Sequence, residues 1–82
     1  MERTITTMMG VARYLETLAI EHDAADVFTF RRAGGGLNIL ITSCFLSDAE
    51  WLLRQAENVA GQGIRIFPER GESGLLLELL RA

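Results

Sequence analysis

The chain has 82 residues, 49% of them hydrophobic and 23% charged, a balance that suits one folded domain and excludes a disordered chain. A formal net charge of −3 and a pI near 5.0 argue against nucleic acid as the principal partner, because phosphate binding leaves a basic footprint. The single cysteine, Cys44, cannot close an internal disulfide, and without a leader-like pattern or an apolar run of about 18 residues neither secretion nor a membrane span is expected. A cytoplasmic protein without a membrane span is the expectation.

Thr6 or Thr7 can cap a first helix, predicted over residues 7–23. Met8, Ala12, Leu15, Ala19 and His22 recur at steps of three and four, flanked by Val11 and Leu18, which defines one apolar face. Arg13, Glu16, Thr17 and Glu21 fall opposite, and the stretch from Asp23 to Asp26 breaks the pattern. Two β-prone runs follow, from Val27 to Arg32 and from Leu37 to Thr42. Ala33, Gly34, Gly35 and Gly36 join them as a hairpin turn.

Ser47 and Glu50 have the spacing of a capping box and predict a second helix to about residue 60. Its inner face would carry Ala49, Leu52, Ala56 and Val59, and Gly61 to Gly63 would stop it. A third strand is expected over residues 64–67 and a loop over 68–74. The leucine-rich run 75–80 is too short for a stable helix and reads as a fourth strand.

Shifting the chain so that Ala12 falls on Ala49 also places Leu15 on Leu52, Ala19 on Ala56, Val27 on Ile64 and Phe30 on Phe67. The expected architecture is therefore α+β: one domain over residues 1–82 built from two α-β-β repeats, about 7–42 and 47–80. The strands would form one four-stranded antiparallel sheet with both helices on one face. Strand residues alternate sides. Either Phe28, Phe30 and Phe67 lie on the open face, or they are buried and Val27, Ile64 and Ile66 are exposed instead. Both alternatives leave apolar side chains outside, which predicts self-association.

No residue set predicts catalysis, a metal or a cofactor. His22 is the only histidine and reads as a packing or capping residue of the inner stripe. Cys44 reads as a small hydrophobe. The glycines of 33–36 link strand to strand, whereas a phosphate loop links strand to helix, and the chain contains no lysine. Trp51, beside Arg54 on the outer side of the second helix, could staple onto Leu46 or meet a partner, and Tyr14 is its equivalent on the first helix. Met9 and Ile20 add apolar surface to the first helix.

The leading expectation is a small, non-enzymatic protein–protein interaction or regulatory module that forms a homo-oligomer or binds an unidentified protein. Its candidate interface is Trp51, Tyr14, Phe28, Phe30, Phe67 and Arg54. A secondary expectation is a phenylalanine-and-arginine sheet that stacks single-stranded nucleic acid, with Arg31, Arg32 and Arg65 as its contacts. A third is an apolar ligand held between subunits.

Overall fold

The computed structural model describes residues 4–43, 45–72 and 74–82, so the reading of Cys44 lies outside it. The element order is α1 (Met8–Glu21), β1 (Val27–Ala33), β2 (Gly36–Thr42), α2 (Leu46–Val59), β3 (Ile64–Arg70) and β4 (Gly74–Arg81). The strands make one antiparallel sheet in the order β1-β2-β4-β3. The α+β class and the strand assignment of the leucine run hold. No described helix is long and apolar enough to cross a membrane.

Helix α1 begins where the Thr7 side chain accepts from the Gly10 N–H at 3.0 Å. It ends at Glu21 rather than 23 because Asp23 takes a left-handed backbone, φ 49°. Ala24 N–H then reaches the Ala19 carbonyl at 2.9 Å and Asp23 N–H reaches Ile20, which is the Schellman way of closing a helix. Ser43 Oγ, buried, donates to the Ala24 carbonyl at 2.6 Å and ties the exit of β2 to this corner.

The capping box does not form. Helix α2 starts at Leu46, with Phe45 as an N-cap that makes no side-chain hydrogen bond, so Ser47 lies inside the first turn. Glu50 is engaged elsewhere, by the Arg70 guanidinium. Strand β3 also departs from expectation, running through Pro68 to Arg70. Proline is tolerated there because β3 is an edge strand, where a missing N–H can face outward without costing a ladder hydrogen bond.

Gly34 and Gly35 form a two-residue hairpin turn closed by the Ala33–Gly36 pair, with positive φ (60°) at Gly34 only. That is the type II′ pattern, whose twist matches that of the flanking strands. This turn sets the β1–β2 register and therefore the faces. Phe28 lies opposite Ile41 and Phe30 opposite Ile39, and directly paired residues share a side of the sheet.

Ile39, Ile41, Leu75, Leu77 and Leu79 are all at most 1% exposed beneath the helices. Four strands at about 4.8 Å spacing are barely wide enough for two helices lying 8–10 Å apart. Ala12, Ala19, Ala49 and Ala56 are all buried, and inner faces built with side chains this small let the two helices lie close over so narrow a sheet.

The faces combine the two alternatives read from the sequence. Phe28 and Phe30 lie on the helix-covered side, half-buried against the core, and their rings meet edge to face with centroids 6.3 Å apart. In β3 the isoleucines turn inward and Phe67 turns out, 45% exposed. Val27 is 46% exposed while its counterpart Ile64 is 9%, so the equivalent strands of the two halves turn opposite sides to the helices, and the expected internal repeat is not confirmed.

Candidate interaction surface

The side of the sheet away from the helices is uncovered, and its side chains follow from the register. One row across the sheet is Thr29, Leu40, Leu76 and Glu69, and the next is Arg31, Asn38, Glu78 and Phe67. Val27 lies at one end of this face, and Leu80 and Arg65 lie at the other. An antiparallel sheet with one solvated face normally alternates apolar inward with polar outward. Here Leu40 and Phe67 stand nearly half exposed at its middle and edge.

Leu40 and Leu76 form a ridge between two shallow depressions. One, about 480 Å³, is lined on its far side by Thr29, Arg31 and Asn38. The other, about 270 Å³, runs towards Glu69 and the turn at Gly71. The charges of the face balance, with Arg31 and Arg65 against Glu69 and Glu78, whereas the whole chain carries −3. Asn38 buries its Oδ1 with no donor in reach, so its amide nitrogen is the end available above the sheet.

The other predicted residues are distributed differently. Trp51 is half-buried against the core and meets His22 edge to face, ring centroids 5.0 Å apart. His22 is exposed at the C-cap of α1 and not on the inner stripe, because the chain leaves the helix there. The staple onto Leu46 does not exist in the expected form, since Leu46 is the first helical residue and is itself 46% exposed. Tyr14 packs half-buried at the margin of the core, and Arg54 is exposed on α2. Phe45 (69% exposed), just before α2, and Ile20 (76%), in the last turn of α1, are further exposed apolar side chains. Phe45 was missed in the sequence because it belongs to no periodic run.

The phenylalanine platform required for stacking single-stranded nucleic acid is not assembled on one face. Of the aromatic residues only Phe67 shares a side with Arg31 and Arg65, while Phe28, Phe30 and Arg32 are on the helix side. Among the described residues no group of three or more His, Cys, Asp or Glu side chains is placed to hold a metal ion.

Arg70 clamps Glu50 with both guanidinium arms, Nη2 to Oε2 at 3.0 Å and Nε to Oε1. This joins the end of β3 to the first turns of α2. The hydrogen bonds from Arg70 hold the Glu50 carboxyl below its ordinary value of 4.5. A carboxyl lowered on folding stabilises the fold fully above its ordinary value and loses that contribution as pH falls through the lowered one. The stability gap between the native chain and Glu50→Gln should therefore be constant above about pH 5 and close on acidification, as read from urea unfolding at a series of pH values. A gap that widens in acid would contradict this. Glu50 and Arg70 are 25% and 52% exposed, so screening keeps the effect small.

Comparison with protein-family models, with curated proteins and with solved structures finds no match to this chain. What the surface does has to be read from its own chemistry.

Proposed function

We propose that this chain is a small, non-enzymatic, cytoplasmic protein–protein interaction module that associates with itself through the uncovered face of its sheet. The observation that carries the reading is the Leu40–Leu76 ridge, flanked by Phe67, Leu80 and Val27, on a face whose charges sum to zero. An apolar face of this kind loses its cost in water when a second surface covers it. A small domain, whose own core is limited, gains stability from the same step. Neutrality suits self-pairing, since a face of one sign would repel its copy. The Pro68 edge of β3 resists strand addition and Arg31 and Arg32 charge the β1 edge, so the face is favoured over the edges.

Leu40→Asp tests this directly. The side chain is 46% exposed in the single chain, so the fold should tolerate the carboxylate and far-ultraviolet circular dichroism should be unchanged. Light scattering after size exclusion should show a dimer for the native chain and a monomer for the variant. A native chain that remains monomeric at about 100 μM, where even a weak specific dimer is populated, would overturn the reading.

A further inference from the structure

We infer that two copies pair face to face about a two-fold axis parallel to the strands and lying over the seam between β2 and β4. This rests on the reading that the uncovered face associates with itself, and it adds which residue meets which.

An axis along the strands exchanges β1 with β3 and β2 with β4 while leaving each row opposite itself. Leu40 then faces the second copy's Leu76, and Leu76 faces its Leu40, so the two ridges bury one another. In the adjoining row Asn38 faces the second copy's Glu78 and Arg31 faces its Phe67. Glu78 thereby receives the free amide nitrogen of Asn38. It also lies one strand spacing, about 4.8 Å, from the position over which Arg31 stands, well within reach of a guanidinium. Arg31 has an aromatic face beneath it as well. Each of these contacts occurs twice. Thr29 faces Glu69, and Arg65 stays on the rim opposite Ala33.

The alternative two-fold axis, across the strands, sets each strand against its own copy and reverses the rows. Centred on the polar row, it puts Glu78 on Glu78 and Arg31 on Arg31. Centred between the rows, it presses Asn38 and Glu78 onto Leu40 and Leu76. Centred on the leucine row, it joins the ridges but leaves Glu78 over Gly74 in a row that holds no cation and brings Glu69 onto Glu69. A covered carboxylate without a partner is strongly unfavourable, as is a like-charge pair. Only the axis along the strands gives every covered charge a complementary group. Aligned packing of two sheets at about −30° is compatible with it, because the axis bisects the strand directions.

The test uses the full chain and sedimentation equilibrium. Arg31→Glu creates two Glu–Glu encounters across the axis, and Glu78→Arg creates two Arg–Arg encounters. Each variant alone should raise the dimer dissociation constant about tenfold or more. An equimolar mixture of the two restores an opposite pair at both positions, so a heterodimer should form with a dissociation constant near that of the native dimer. Both residues are exposed, so neither variant should disturb the fold, which circular dichroism would verify. Native association abolished by Leu40→Asp, with the single charge variants associating normally or their mixture failing to recover, would refute this axis and leave the face as the interface. A dimer that survives Leu40→Asp would refute the axis and assign association to an edge or to another exposed apolar side chain, such as Phe45 or Ile20. A monomeric native chain would remove the functional reading together with the axis.

Discussion

Leu77→Ala should lower the unfolding free energy by about 2–5 kcal/mol, a large share of the roughly 5–15 kcal/mol that holds a domain folded. Leu77 is fully buried at the centre of β4, paired with Ile39 across one ladder and with Pro68 across the other. Truncation removes methyl groups from the core at the strand that packs against α2. Neighbours in regular strands cannot collapse into the space without distorting their ladders. Leu40→Ala is the informative comparison. Its side chain is 46% exposed on the opposite face, so the loss should be about 1 kcal/mol at low protein concentration. If that face is covered by a second copy, the Leu40→Ala loss should grow with concentration while the Leu77→Ala loss grows in no such way. Urea unfolding at two concentrations measures both. Equal losses for the two variants at low concentration would mean that the faces have been assigned wrongly.

Gly74→Ala should be nearly as damaging, by about 2–4 kcal/mol, through overpacking instead of a cavity. A Cβ at Gly74 would collide with the Ile41 carbonyl oxygen and come within 3.1 Å of the Thr42 Cα. Both are backbone atoms of the central β2–β4 ladder, so neither can rotate aside. Either β4 must move off β2 at the Thr42–Gly74 pair or the ladder must open there. Gly71→Ala is the control on the other side of the same turn. Its added methyl would meet nothing closer than the Gly74 carbonyl oxygen at 3.9 Å, and the change should stay within about 0.5 kcal/mol. Thermal unfolding should separate the two variants by roughly ten degrees or more, given that 1 kcal/mol shifts a domain of this size by about 4–8 °C. Coincident melting curves would show that β4 does not approach β2 this closely.

These two sites also show why the covered face and the open face respond differently to change. Beneath the helices the sheet is packed like any interior, and small volumes matter. Above the sheet the side chains have room, and the consequences of substitution pass through association. Arg31, Asn38 and Glu78 are neighbours across three strands, yet Glu78 lies far from the other two along the chain. The candidate interface exists only because two hairpins meet along β2 and β4.

The sequence by itself determined the elements, since they depend on local periodicity. The 3.6-residue spacing of Val11, Leu15 and Ala19, and of Ala49, Leu52 and Ala56, located the helices and their inner sides. The glycine turn and the β-prone runs on either side of it located the first hairpin, and the leucine run 75–80, too short for a stable helix, located the fourth strand. The three-dimensional structure decided what depends on partners distant in the chain. Which way β1 and β3 face is fixed by cross-strand register, and a slip of one residue reverses a whole strand. The phenylalanines therefore divided, with Phe28 and Phe30 going under the helices and Phe67 going out. Local spacing suggested a capping box at Glu50, but a guanidinium 20 residues away offered the carboxylate a bidentate partner. Trp51 found His22 rather than Leu46, because α1 ends beside the start of α2. Charge balance on the open face followed the same rule. It is a property of four strands in a particular order, which no single stretch of the chain contains.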